Sequence, residues 1–190
     1  ERAGFAPASH DGKALLQILE TLPRDELFPI PDDELFDMAM GILQLQERHR
    51  IALFVRKDVF ERFVSAMVYV PRDRYTSELR EKVSAILEEA FNGKVTALYT
   101  QVSDSPLARG HFIIKTTPGE IPPYDTRRLE AYVADAARTW SDHLRDESIR
   151  HFGEEAGLDT QKRYKDAFPA AYREEFSAEE ALGDILRIEQ

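Results

Sequence analysis

Cysteine is absent from these 190 residues. That excludes disulfide scaffolds, thiolate zinc sites, iron–sulfur clusters and cysteine nucleophiles together. Long apolar runs are missing too, and none approaches the roughly 18 residues of a membrane span. Positive charge is in deficit. With 25 Lys and Arg against 35 Asp and Glu, and a net charge of −10, the chain lacks the basic footprint needed for nucleic acid or an anionic membrane. Glycines are scattered. Gly110, Gly119, Gly153, Gly157 and Gly183 stand alone, so neither a P-loop nor a dinucleotide-binding fingerprint can be written. No serine occupies a G-x-S-x-G elbow. The chain begins at Glu1, with no initiator Met and no basic-then-apolar signal segment. The expectation is a cytoplasmic protein seen as an internal piece of a longer chain.

What is present suits a folded domain with appendages. Hydrophobic residues make up 43% and aromatics 10%, enough for a core. Three regions emerge: a helical segment over 1–49, an α+β domain over 50–152, and a helical segment over 153–190. In the first, Leu15, Leu16, Ile18, Leu19 and Leu22 form a helical stripe that Ser9 or Asp11 can cap. Pro23, Pro29 and Pro31 then break the chain. Pro31 followed by Asp32, Asp33 and Glu34 reads as a new helix start, carrying Leu35, Met38, Ile42 and Leu45 inward.

In the second region, 51–55 and 63–70 are short runs rich in β-branched and aromatic residues, hence strands. Thr76 can cap a helix whose Leu79, Val83, Ile86, Leu87 and Ala90 make one inner face and which stops at Asn92-Gly93. Strands over 95–102 and 111–116 follow, linked by SDSPLARG. Asp125 then opens one long helix with Leu129, Val133, Ala136, Trp140 and Leu144 on a stripe. The order ββαββα is a circular permutation of a ferredoxin-like sheet, and predicts spatial strand order 3-4-2-1, mostly antiparallel, with both helices on one face. Strand 2 offers Phe63, Ser65, Met67 and Tyr69 to one side and Val64, Ala66, Val68 and Val70 to the other. Both faces are apolar, so the N-terminal helices, the C-terminal helices or a second copy must cover the face the helices leave open.

The third region carries Tyr164, Phe168, Tyr172, Phe176, Leu182, Ile185 and Leu186 among many charges, and Ser177 with Glu180 fits a capping box. Such short helices cannot form a core alone and are expected to pack on the second region, on a partner or on sequence beyond this segment. Among the histidines, His10, His49, His111, His143 and His151, only His143, Glu147 and His151 share helical spacing. Their arginine and aspartate neighbours describe a solvated face rather than a metal site, and no metal is expected. Two arginine-bearing stretches are effector or interface candidates. Arg72, Asp73 and Arg74 precede a helix N-terminus, where anions are favoured, and Ser105 and Arg109 lie in SDSPLARG. For each, the alternative is a turn held by its own side chains. A third candidate, Pro118-Gly119, follows the last strand; ACT modules, which bind amino acids, resemble this at their first strand-to-helix connection.

The run LFVRKDVFERFVSAMVYVPRDRYTSELREKV, from Leu53 to Val83, with SDSPLARGHFIIKT from Ser103 to Thr116, closely resembles the N-terminal, non-catalytic region of the large NAD-specific glutamate dehydrogenases of bacteria. Weaker echoes lie in Leu15–Pro31 and Lys165–Ser177. The resemblance implies an ACT-like module with flanking helical motifs, serving allosteric control, oligomer assembly or both. The whole enzyme of that family oxidatively deaminates L-glutamate to 2-oxoglutarate and ammonium with NAD. It implies no catalytic residue and no cofactor in this segment, NAD for the parent enzyme, and other domains of the parent chain, a homo-oligomer and an amino-acid effector as partners. A purely architectural dimerisation module and a free-standing amino-acid sensor remain alternatives.

Overall fold

Residues 3–23, 30–47, 50–103 and 105–189 are described by a computed structural model. Pro29, His49 and Asp104, on which some sequence expectations fell, lie outside the described residues. The chain divides into two compact units, Glu1–Ala136 and Ala137–Gln190.

In the first unit, α1 (His10–Thr21) and α2 (Asp32–Glu47) precede β1 (Ala52–Lys57) and β2 (Phe63–Pro71). A single 3-10 turn over Arg72–Arg74 leads into α3 (Ser77–Phe91), followed by β3 (Lys94–Gln101), β4 (Leu107–Lys115) and α4 (Thr126–Ala136). The helix starts are side-chain capped as the sequence predicts. Ser9 accepts from the Gly12 N–H, and Thr76 from the Leu79 N–H at 3.1 Å. Asn92 closes α3 in the left-handed conformation, at φ 48°.

The four strands form one sheet in the order β1-β2-β4-β3, every pair antiparallel. This is the permuted ferredoxin-like α+β arrangement expected from the element order. One expectation is corrected: β4 begins at Leu107, not near His111. The residues LARG continue the ladder with β2, Ala108 facing Val70 and Arg109 facing Tyr69, so Arg109 is a strand residue rather than part of a turn.

On one face, Val64, Ala66, Val68 and Val70 line up with Ala108, Phe112 and Ile114. Helices α3 and α4 cover this face and bury Leu79, Val83, Leu87, Phe91, Leu129 and Val133. At about 1.5–3 kcal/mol for each fully buried large side chain, this layer is a principal source of the unit's stability. The opposite face, left open by the sequence, is covered by the N-terminal helices. Ile18 and Leu22 of α1 and Met38, Ala39, Ile42 and Leu45 of α2 share one cluster with Ala52, Met67, Tyr69 and Leu107 of the sheet. Contact is close enough that a Cβ on Gly41 of α2 would lie 2.8 Å from the Phe54 ring.

The two sheet edges differ. Along β1, Glu130 of α4 accepts the Leu53 N–H at 3.0 Å and pairs with Arg50 at 3.5 Å, which satisfies one outward group of that edge. Along β3, no strand pairs with the outer edge among the described residues, and Tyr99 and Val102 are 63% and 55% exposed.

The single long helix expected after Asp125 is two helices. Thr139 caps a new one, α5 (Trp140–Phe152), through a capping box: its hydroxyl accepts the Asp142 N–H while the Asp142 carboxylate accepts the Thr139 N–H at 2.9 Å. The apolar stripe is therefore divided, with Leu129 and Val133 in the first unit's core and Leu144 in the second's. In that second unit, α6 (Glu154–Tyr164), α7 (Ala170–Glu175) and α8 (Ala178–Ile188) follow α5. The C-terminal helices pack, as expected, on the second region: α5, its last helix, supplies the surface for their core. Leu144, Phe168, Ala178, Ala181 and Ile185 form it, with Trp140, Tyr164 and Tyr172 packed around them. Trp140 meets Phe168 edge-on and donates its indole N–H to the Phe176 carbonyl at 3.0 Å. Ser177 and Glu180 make the expected capping box.

Candidate effector pocket

At the end of the sheet where β2 finishes and β4 begins, two of the sequence candidates meet. The Arg72 N–H donates to the Pro106 carbonyl at 2.9 Å, and the Arg72 guanidinium to the Ser103 carbonyl at 3.2 Å. The turn after β2 is thus fastened to the β3–β4 loop. Asp73 is exposed at its outer side. Thr76 takes the helix cap, as expected. Pro118-Gly119 lies at the other end of β4, nine residues or roughly 30 Å away by strand rise. There Gly119, at φ 81°, donates its N–H to Glu61 at 2.8 Å, and Thr116 donates its hydroxyl to the Glu61 carbonyl at 2.6 Å. Lys57 lies 2.6 Å from the same Glu61 carboxylate, whose pKa it holds below the usual carboxylate range with help from the Gly119 amide. That end is a structural lock on the β1–β2 turn. The candidates therefore form two separate groups.

Beside the first group a pocket of about 510 Å³ opens between α1, the end of β2 and the β3–β4 hairpin. This is within the usual range for small-ligand sites. Its apolar wall is Ile18, Ile42, Leu107 and the Tyr69 ring, and its polar wall is Gln17, Gln101, Ser103, Ser105 and Arg109. Arg109 is the one charged group among the described lining residues. Alternation along β4 places it on the face covered by α1 and α2, opposite Tyr69, where it donates to the Thr21 carbonyl at 3.0 Å. Burial pushes the Tyr69 phenol up, and the adjacent guanidinium draws it partly back. The Thr21 carbonyl holds the arginine without neutralising it: among the described residues it has no carboxylate partner. A guanidinium carries five N–H donors, so donors remain for a ligand.

Ser105 and Arg109 were legible in the sequence. Gln17, Thr21, Ile42, Tyr69 and Gln101 were not, since they come together only through packing of α1 and α2 on the sheet. The available signal was in β4, where Arg109 and His111 interrupt an otherwise apolar alternation from Leu107 to Ile113. His111 is buried and shares a 2.8 Å hydrogen bond with Ser65 on the next strand, which satisfies both groups inside the sheet. On α5, Glu147 pairs with Arg150, and no metal-ligand cluster exists among the described residues. Nor is any helix among them long and apolar enough to cross a membrane.

Comparison with known families gives three consecutive matches, all to parts of one enzyme. Residues 1–48 match glutamate dehydrogenase helical motif 1, residues 52–141 its ACT2 domain, and residues 149–190 its helical motif 2. Each of the three models describes a part of glutamate dehydrogenase, and none alone spans half of the chain. Among its relatives are NAD-specific glutamate dehydrogenases of Halomonas elongata, 45% identical, Pseudomonas aeruginosa, 40%, and Mycobacterium tuberculosis, 34%. The alignments cover 98%, 98% and 95% of the chain but only 12% of each relative's length. The sheet and its two helices coincide with the ACT2 match. The pocket lies where the helical motif 1 match, through α1 and α2, packs on that sheet.

Proposed function

We propose that this chain is a regulatory and assembly segment from the N-terminal region of a cytoplasmic NAD-dependent glutamate dehydrogenase, and that it takes no part in the chemistry. The parent enzyme would oxidatively deaminate L-glutamate to 2-oxoglutarate and ammonium, with NAD bound by other domains of the same chain. One observation carries the reading: helical motif 1, ACT2 and helical motif 2 of that enzyme follow one another along almost the whole chain. Two features support a role in control. The pocket beside Arg109 offers binding groups without a nucleophile–base pair, and the sheet end beside it joins two loops whose positions a ligand would couple. The architectural alternative draws support from the unpaired β3 edge with its exposed Tyr99 and Val102, a surface suited to a homo-oligomer.

The test compares the intact enzyme with a form lacking residues 1–190, measuring glutamate oxidation across a panel of amino acids and oligomeric state by light scattering. Regulation predicts an amino-acid response in the intact enzyme that disappears on deletion while turnover persists. Assembly predicts a smaller oligomer. An enzyme unchanged in both respects defeats the reading.

A further inference from the structure

We propose that the pocket between α1 and the β3–β4 hairpin binds a small monocarboxylate with an apolar tail, the carboxylate on Arg109 and the tail against Ile18, Ile42 and Leu107. This deepens the regulatory reading and rests on it only for the consequence of binding, not for binding itself.

The arginine is the first argument. In a chain with ten more acidic than basic groups, Arg109 is a half-buried residue whose guanidinium reaches the pocket with no carboxylate partner among the described residues. A neutral carbonyl, that of Thr21, holds it in place, with Tyr69 opposite it in the ladder. An incoming carboxylate would supply the missing charge through charge-assisted hydrogen bonds, the strongest a guanidinium makes. The rest of the lining narrows the ligand. Its other polar groups, Gln17, Gln101, Ser103 and Ser105, are neutral, which disfavours a cationic side chain and leaves a second carboxylate without a cation in the lining. The remaining wall is aliphatic and aromatic, and an alkyl tail there leaves water. The site is not formed by the sheet alone. Gln17, Ile18 and Thr21 come from α1 and Ile42 from α2, so occupancy would tighten the helices onto the sheet.

Isocaproate serves as the probe and its neutral isostere isocaproamide as the control, with binding followed by chemical-shift perturbation and thermal shift on the 190-residue chain. Isocaproate should bind at least about tenfold more tightly than the amide, since a hydrogen bond to a charged group contributes about 1.5–3 kcal/mol. Arg109→Met should weaken isocaproate binding about tenfold to a hundredfold, and Arg109→Lys by less. Gln17 is exposed on the pocket rim, so Gln17→Trp should obstruct the mouth and reduce binding without disturbing the fold. If Arg109→Met does not fold, the acid–amide pair and Gln17→Trp still decide. Equal binding of acid and amide, undiminished binding by Arg109→Met or by Gln17→Trp, or no binding of isocaproate at millimolar concentration overturns the proposal. A null result on this chain leaves the regulatory reading standing, because amino-acid kinetics of the intact enzyme test that separately.

Discussion

Gly157 is the most exacting test of the second unit's packing. A Cβ built there would lie 2.5 Å from both Cα and N of Ile149 and 2.7 Å from the carbonyl carbon of Ser148. The obstacles are backbone atoms, so no side-chain rotation relieves them. Ordinary contact begins at 3.4 Å, and α5 and α6 must separate by about 1 Å to admit a methyl group. Two effects oppose each other in Gly157→Ala. Helix propensity favours alanine by about 1 kcal/mol, while forcing an extra methyl into a packed contact costs about 1–3 kcal/mol. Because the obstacle is rigid we place the cost at the upper end, giving a net loss of about 1–2 kcal/mol. Gly183, in α8 of the same unit, supplies the control: a Cβ there meets nothing within 4 Å. Gly183→Ala should gain up to about 1 kcal/mol. Both substitutions restrict the unfolded chain equally, so the difference between them isolates packing. Trp140 is the only tryptophan and is packed beside the second unit's core, which lets fluorescence-detected thermal unfolding report on that unit. At roughly 4–8 °C per kcal/mol for a small domain, the two midpoints should move in opposite directions. A Gly157→Ala protein stabilised as much as Gly183→Ala would refute the close approach of α5 and α6.

Two predictions concern pH. Tyr172 is pushed up to about 12 by desolvation and by its 2.6 Å hydrogen bond to Asp184. A phenol raised in the folded state contributes stability that is complete below pH 10 and is lost as pH rises toward about 12. Trp140 fluorescence should therefore show alkaline destabilisation that Tyr172→Phe reduces, and an unchanged alkaline profile in that variant would count against the assignment. At the β1–β2 turn, Arg62 holds the Asp58 carboxyl below its usual 3.8, and Lys57 with the Gly119 amide holds Glu61 below its usual 4.5. Their contribution is complete above those values and is lost as pH falls through the lower, folded ones. Amide exchange at Gly119 should accelerate in acid relative to the Val68 amide in the middle of the sheet, and Glu61→Gln should produce that acceleration already at neutral pH. Equal protection of Gly119 in parent and Glu61→Gln proteins would show that the carboxylate does not hold the turn.

Most of the first unit was legible because its signals are local. Thr76 three residues before Leu79, Asn92-Gly93 after Phe91, and the apolar alternation of β2 each act within a few residues, and the permutation argument then orders the strands. The break at Ala137–Thr139 was also written locally, since Thr139 and Asp142 make a capping box. It was hidden by a stripe that continues in register across the gap, from Val133 through Ala136 to Trp140 and Leu144. Helical periodicity cannot tell one helix buried in one core from two helices serving two cores. The start of β4 was concealed for a related reason: Pro106 and Gly110 are turn residues by habit, yet Gly110 is paired with Val68 and Thr100 inside the sheet. A Cβ there would stand 2.6 Å from the Tyr75 hydroxyl and 2.8 Å from the Phe112 ring, so this glycine marks close packing rather than a turn.

The mistaken start of β4 also explains why the pocket was invisible in sequence. Read as loop, Arg109 has no defined direction, and an arginine that anchors its own turn is the economical account. Placed in the ladder opposite Tyr69, it must project to the face covered by α1 and α2. The same arginine then becomes a fixed charge at a boundary between the helical motif 1 and ACT2 matches. That position gives the apolar second face of the sheet a further meaning. Its cover over β1 and β2 is intramolecular, supplied by Ile18, Leu22, Met38, Ile42 and Leu45, so that half of the face is not available to a second copy. Ligand binding at Arg109 would act on the contact between these helices and the sheet, whereas association through the β3 edge would act on the opposite side of β4 from β2. Tyr99 lies two residues from Gln101, which lines the pocket beside Arg109, so the two surfaces adjoin at the end of β3, and a double-mutant cycle between Gln17 and Tyr99 would measure how far control and assembly are coupled.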